Sequence, residues 1–258
     1  MMLQGKTALV TGGAARIGAA CVEALAAAGA DVVVHYYSSG EEAQKVAESA
    51  SERGVRATTV RGNLASEAET RGIFASALEL TGDVDILVNS ASIFPSQPVG
   101  EADFASLEEN SRINAWAPLL LSQLFAAQER YSDRENAPEA KKLGNIVNLL
   151  DTRITDYDRQ HAAYSLSKRS LFGITRMLSV EYAPAIKVNA IAPGLILPPR
   201  GEGPEYLTRM AGTNPMRRCG SIDDITSTLL FLLTTIFITG QVIFVDGGRR
   251  TRGSMYGT

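Results

Sequence analysis

Apolar residues in this chain come in short unbroken runs, separated by stretches with helical spacing. The runs Thr7–Thr11, Val32–Tyr37, Ala57–Arg61, Ile86–Ser90, Asn145–Leu149, Lys187–Ile191 and Gln241–Val245 predict strands. The first, second, fourth and fifth are rich in Val, Ile or Leu and barely alternate, as strands buried on both faces do. Between the runs, Ile113, Trp116, Leu120, Leu124 and Ala127 are spaced for one helix face, and so are Ile222, Ile225, Leu229 and Leu232. Pro118 falls inside the first set and predicts a kink or a helix that starts late. Repeated β–α units of this size predict an α/β fold. It is a single Rossmann-type, doubly wound parallel sheet of about seven strands with helices on both faces.

No break in composition marks a second domain, so residues 1–258 read as one unit. With 45% hydrophobic and 21% charged residues, the chain is not globally disordered. Twenty-five basic residues against 28 acidic ones leave a net charge of −3, which argues against nucleic acid as a partner. The longest apolar stretch, near Leu229–Ile238, is too short for a membrane span. The start, MMLQGKTALV, lacks a basic segment followed by an apolar one, so no secretory signal and a cytoplasmic location are expected. Cys21 and Cys219 have neither metal-ligand spacing nor the pattern of a disulfide scaffold. Two segments read as irregular. Ser132–Leu143 is polar and charged, a surface loop. Residues 193–220 hold five prolines and five glycines after a strand, which reads as a functional loop over a substrate.

The first strand runs into Thr11-Gly12-Gly13-Ala14-Ala15-Arg16-Ile17-Gly18 and then into a helical pattern. A glycine-rich strand-to-helix turn lets backbone N–H groups approach a pyrophosphate. NAD-binding units place an acid near the end of the second strand, on the ribose 2′-hydroxyl. Here the segment is His35-Tyr36-Tyr37-Ser38-Ser39, with no acid, and Arg16 sits in the loop. A guanidinium with hydroxyls suits a 2′-phosphate, so the expected cofactor is NADPH. His35 reads equally well as structural.

These segments resemble the short-chain dehydrogenase/reductase family, and the resemblance covers nearly the whole chain. It rests on TGGAARIG at 11–18, NSAS at 89–92, Asn114, Tyr164-Ser165-Leu166-Ser167-Lys168, Pro193-Gly194 after a strand, and ITGQVIFVDGG at 238–248. The family's usual glycine motif has a glycine where this chain has Arg16. Its usual NNAG is NSAS here, and its catalytic serine is Asp151. All three departures resemble the pteridine reductase branch, in which the aromatic matching Phe94 lines the pterin site. Ser38 stands where parasite pteridine reductases tend to carry another basic residue. The resemblance implies that Arg16, Ile17, His35, Tyr36, Ser38, Ser39, Asn63 and Leu64 hold the cofactor. Asn89, Ser90, Ala91, Ser92, Pro193, Gly194 and Leu195 complete that site, with Tyr164 and Lys168. It also implies a homotetramer through helices near 112–131 and 162–182 and the last strand, with Trp116 and Ile238–Val245 in buried roles.

Tyr164 and Lys168 are four apart and share a helix face. A cation beside a phenol lowers its pKa, and a phenol so tuned can act as a general acid. Asp151, at the carboxyl edge of a strand, can accept hydrogen bonds from a pterin; its plain alternative is capping a turn. Asn114 matches the family's helix-kinking asparagine, which anchors a water linked to Lys168. His161 is assigned no chemistry. Phe94, next to Pro95, reads as a loop ring that stacks on a flat heterocycle. Catalysis is expected from Asp151, Tyr164, Lys168 and Asn114, and substrate contact from Ser92, Phe94, Asp151 and Tyr164. The expected substrate is a small molecule: a dihydropterin, a dihydrofolate or an oxidised pterin. A ketone or sugar carbonyl reductase on the same scaffold is the alternative, and a non-catalytic NADP-binding sensor is a third reading.

Overall fold

Each predicted run forms a strand in the computed structural model, which describes residues 2–133, 136, 138–139, 142–155, 158–199 and 201–254. Residues 134–135, 137 and 140–141 of the expected surface loop, and Arg200 of the expected substrate loop, lie outside the described residues. The strands are β1 (Thr7–Thr11), β2 (Asp31–Tyr36), β3 (Ala57–Arg61), β4 (Ile86–Asn89), β5 (Gly144–Leu149), β6 (Ile186–Pro193) and β7 (Val242–Val245). They pair in parallel in the order β3-β2-β1-β4-β5-β6-β7. Strand β6 runs to Pro193, past the expected end; a proline is tolerated at a strand terminus, where its missing N–H is least needed.

Both faces of the sheet are covered, which explains the unbroken apolar runs. Ala8, Val10, Val32, Val34, Ile86 and Val88 pack against α1 (Arg16–Ala27), α2 (Gly40–Ser51) and α8 (Ile222–Thr234). Leu9, Val33, Leu87, Ile146 and Val188 pack on the other face against α3 (Glu67–Thr81), α5 (Ala117–Ala126) and α6 (Ala162–Glu181). Successive residues of one strand thus serve two cores. In α8 the expected stripe is the buried one, with Ile225, Leu229 and Leu232 inside.

In α5 the expected stripe is not the buried face. Leu121 and Phe125 are fully buried, whereas Trp116 is 50% exposed and Ala127 is exposed. Helix α4 (Phe104–Ser111) passes through a π-turn at Arg112–Trp116 before α5 begins. The extra residue in that turn shifts the helical phase. Helix α5 is also apolar around most of its circumference, so spacing alone cannot choose a face. Pro118 sits at the first turn of α5, where a missing N–H breaks no helical bond.

Strand order reverses between β1 and β4, whose chains leave to opposite sides. The crevice opened there, at the carboxyl ends of the strands, is where open α/β sheets bind ligands.

Candidate active site

The glycine turn is shaped by absent side chains. Gly12 has φ +63° and lies against the Ala91 backbone, 2.8 Å from where a Cβ would sit. A Cβ on Gly18 would come 2.1 Å from the Gly12 carbonyl oxygen. Thr11 Oγ1 accepts the N–H groups of Ser90 and Ala91 at 3.0 and 3.1 Å, which ties the 89–92 segment to the end of β1. The result is a cavity of about 390 Å³ walled by Gly12, Ala14–Gly18, His35–Ser39, Asn63, Leu64 and Ser90–Ile93, with Ile113 as an unforeseen neighbour.

Two expected cofactor residues have structural partners. His35 is buried; its Nδ1 accepts the Gly12 N–H at 3.2 Å and its Nε2 lies 3.0 Å from the Gly62 carbonyl. Those partners fix a neutral ring with the proton on Nε2, and burial holds its pKa below the ordinary histidine value. His35 therefore braces the turn. Asn89 is buried too: its Nδ2 donates to Asn148 Oδ1 at 2.8 Å, and Asn148 Nδ2 donates to Thr175 Oγ1 at 2.9 Å. This amide chain links β4 and β5 to α6. Asn63 Oδ1 accepts the Ala65 N–H, holding the local turn that puts Leu64 on the cavity wall.

Arg16 stands where the cavity continues into a second one of about 260 Å³. Its φ is +55°, and its Nη2 donates to the Pro198 carbonyl at 2.7 Å, reaching towards the loop after β6. The second cavity gathers Ser92, Phe94, Asp151, Tyr164, Lys168, Pro193, Gly194 and Leu195, as expected. It also contains Arg153, Tyr206 and Arg249, which no spacing in the sequence singles out.

Asp151 takes the plainer of its two expected roles, the turn cap, and also holds Tyr164. One carboxylate oxygen caps the turn Thr152–Ile154 by accepting the Arg153 N–H at 2.8 Å. The other accepts the Tyr164 hydroxyl at 2.8 Å. The phenol is therefore not tuned downward as its spacing to Lys168 suggested. Burial, and then the Asp151 charge and hydrogen bond, push the Tyr164 pKa well above 10. Lys168 Nζ donates to the Leu149 carbonyl at 2.7 Å and lies 5.9 Å from the centre of the Tyr164 ring. Burial lowers its pKa to about 8, against an upward pull from Asp151. A phenol in this setting keeps its proton and can give it away.

Asn114 lies in the π-turn and makes no direct hydrogen bond to Lys168. Its Oδ1 accepts Ser92 Oγ–H and the Ile93 N–H, and its Nδ2 donates to the Ile93 carbonyl and Ser167 Oγ. It is a clamp between the 92–93 segment and the catalytic helix. The Gln97 carbonyl accepts the Ala162 N–H at 3.1 Å, which fixes the loop after β4 on the first turn of α6.

Phe94 is 40% exposed, and the ring of His161 already stacks on it at 3.9 Å and 11°. Tyr164 meets its edge at 4.6 Å and the Arg153 guanidinium lies 4.9 Å from its centre. Asp158 holds both neighbours, Arg153 at 2.7 Å and His161 at 2.9 Å. The face covered by His161 is closed to a ligand, so stacking falls to the rest of the ring or needs His161 to turn aside.

A family model described as enoyl-(acyl carrier protein) reductase matches residues 12–250. The 3-oxoacyl-[acyl-carrier-protein] reductase FabG of Aquifex aeolicus is 34% identical, with 95% of this chain and 98% of the relative covered. The chain belongs to the short-chain dehydrogenase/reductase family. Among solved structures, FolM alternative dihydrofolate reductase 1 from Brucella canis, complexed with NADP, is 32% identical with a TM-score of 0.86. The match covers 100% of this chain and 98% of that one. The 3β-hydroxysteroid dehydrogenase 1 of Eggerthella lenta is 32% identical over 95% of this chain and 94% of the relative.

This short-chain dehydrogenase/reductase is an NADP(H)-dependent oxidoreductase by family and by its neighbours. The glycine cradle fits that cofactor: it presents backbone where a pyrophosphate must approach, and nothing acidic at the end of β2 opposes a 2′-phosphate. Among the described residues no helix is long and apolar enough to cross a membrane, and no cluster of side chains could hold a metal ion.

Proposed function

We propose that the chain reduces a pteridine, with NADPH supplying the hydride when bound. The observation that carries this reading is the 2.8 Å hydrogen bond from Tyr164 to Asp151. A simple carbonyl offers only lone pairs, which an ionised carboxylate repels. A pterin offers ring N–H and amino donors, which a carboxylate accepts with charge assistance. The likeness to the Brucella dihydrofolate reductases supports the same choice.

In this reading Asp151 accepts donors of the pterin and so orients it. Tyr164 holds its proton at Oη until the ring nitrogen next to the reduced carbon takes it. Lys168, close to the phenol ring and buried, balances the charge left behind. Phe94, Tyr206 and Leu195 wall the flat heterocycle and keep water from it.

Carbonyl reduction is the second reading, favoured by the FabG and steroid dehydrogenase relatives. One experiment separates them: NADPH oxidation measured with dihydrobiopterin, dihydromonapterin, dihydrofolate and a set of simple ketones. Turnover of at least one pteridine above every ketone is expected. Activity on ketones with none on pteridines would reverse the assignment.

We also propose a homotetramer, an expectation that rests on the resemblance to the family. The exposed apolar residues Trp116, Met177 and Val180 on or beside the central helices, and Phe237 before β7, are suited to be covered by other copies. Light scattering at micromolar concentration tests this; a monomer would refute it.

A further inference from the structure

A 2′-phosphate needs a cation near the end of β2, and Arg16, the only charged residue in the glycine turn, is directed elsewhere. Its guanidinium is bound to the Pro198 carbonyl on the substrate side. The rim at the other end, Tyr37-Ser38-Ser39, carries hydroxyls and no charge.

A different arginine is held next to that rim, outside the cavity lining itself. Arg61 ends β3 and sits in register with Tyr36 of β2. Its Nε donates to the Tyr37 carbonyl at 3.2 Å, which pins the guanidinium beside the turn that leads into α2. The side chain is exposed, and its two terminal nitrogens have no hydrogen-bond or ion-pair partner among the described residues. Glu41 and Glu42, in the first turn of α2, do not pair with it. An anchored guanidinium with its outer edge unspent is suited to a phosphate, because its planar fork offers two parallel donors.

We infer that Arg61 is the residue that selects NADP(H) over NAD(H), by binding the 2′-phosphate together with the Ser38 and Ser39 hydroxyls. Arg16 then serves the junction between cofactor and substrate and reads no 2′-phosphate. Spacing along the chain hides this role, since Arg61 and Tyr37 are 24 residues apart and meet only because β2 and β3 pair.

The test is calorimetric titration of the intact protein with NADPH, NADH and 2′,5′-ADP, for the unmodified chain, Arg61→Gln and Arg16→Gln. Arg61→Gln should weaken NADPH and 2′,5′-ADP about ten- to a hundredfold while NADH stays within about twofold, the scale of a lost charged hydrogen bond. Arg16→Gln should leave the NADPH-to-NADH ratio within about twofold of its original value. Arg61→Lys, which keeps the charge and loses the fork, should fall between; it serves as the reading if the glutamine variant fails to fold. An unchanged ratio in Arg61→Gln, or a ratio abolished by Arg16→Gln alone, would overturn the assignment. Only cofactor affinity is read, so the outcome is separate from that of the pteridine proposal.

Discussion

The end of the crevice beside β1, β2 and β3 is lined by the glycine turn, at Gly12 and Ala14–Gly18, and by Ser90–Ala91, and is braced by His35. The end beside β5 and β6 is walled by large side chains drawn from six separate segments: Arg16, Phe94, Asp151 with Arg153, Tyr164 with Lys168, Tyr206, and Arg249. The first end needs local turn geometry, and tolerates little change because a Cβ at Gly18 would meet a carbonyl. The second needs charges and rings to converge, and it can be retuned one side chain at a time. Relatives described as acyl-carrier-protein, steroid and dihydrofolate enzymes accordingly differ in substrate within one family.

If the two ends are separable, removing the proton donor should break one and spare the other. Tyr164→Phe keeps the ring and its contact with Phe94 but removes the hydroxyl. Turnover should drop about a hundredfold or more, the usual scale of general acid catalysis, while NADPH affinity by titration is unchanged. Unchanged turnover would mean that another group supplies the proton.

Asp151→Ser sharpens the comparison on the substrate side. It removes the acceptor of the Tyr164 hydroxyl and a charge that pushes the Tyr164 pKa up. A loss of about ten- to a hundredfold in kcat/KM for the pteridine is expected, matching a charged hydrogen bond of about 1.5–3 kcal/mol. NADPH affinity should hold, and activity on a simple ketone should rise. Full pteridine turnover in this variant would make the carboxylate a turn cap only.

A smaller effect is expected at the cofactor end, from His35. Its folded pKa lies below the ordinary value of 6.5, so the unfolded chain binds a proton first as pH falls. The stability it contributes is complete above pH 6.5 and declines as pH drops from there towards the lowered folded value. His35→Ala leaves the Gly12 N–H and Gly62 carbonyl without this partner and should cost about 1–3 kcal/mol at neutral pH. The gap in melting temperature between the two proteins should shrink when both are melted at acid pH. A constant gap would show that His35 titrates normally.

Much of the fold was legible because its signals are local. Seven apolar runs specified seven strands, and repeated β–α units specified a parallel sheet, since a parallel connection needs a crossover. The glycine turn and the Tyr164–Lys168 pair were legible for the same reason: one is a φ requirement, the other a helical spacing. The wrong face of α5 came from a helix apolar on most sides, where only the π-turn and the sheet beneath decide what is buried.

What the sequence determined by itself is the order of elements, the phosphate turn and the absence of an acid at the end of β2. Each depends on residues within a turn or a strand of one another. Only the tertiary structure decided that burial and Asp151 together raise the Tyr164 pKa, that His35 is engaged by backbone and the Asn89 Nδ2 by Asn148, that Arg16 stands at the junction of the two cavities, and that Arg61 is held at the Tyr37 carbonyl. Those outcomes depend on burial and on contacts between segments far apart in the chain. Burial can reverse a charge argument made from spacing, because it penalises the ionised phenol whichever cation stands near it.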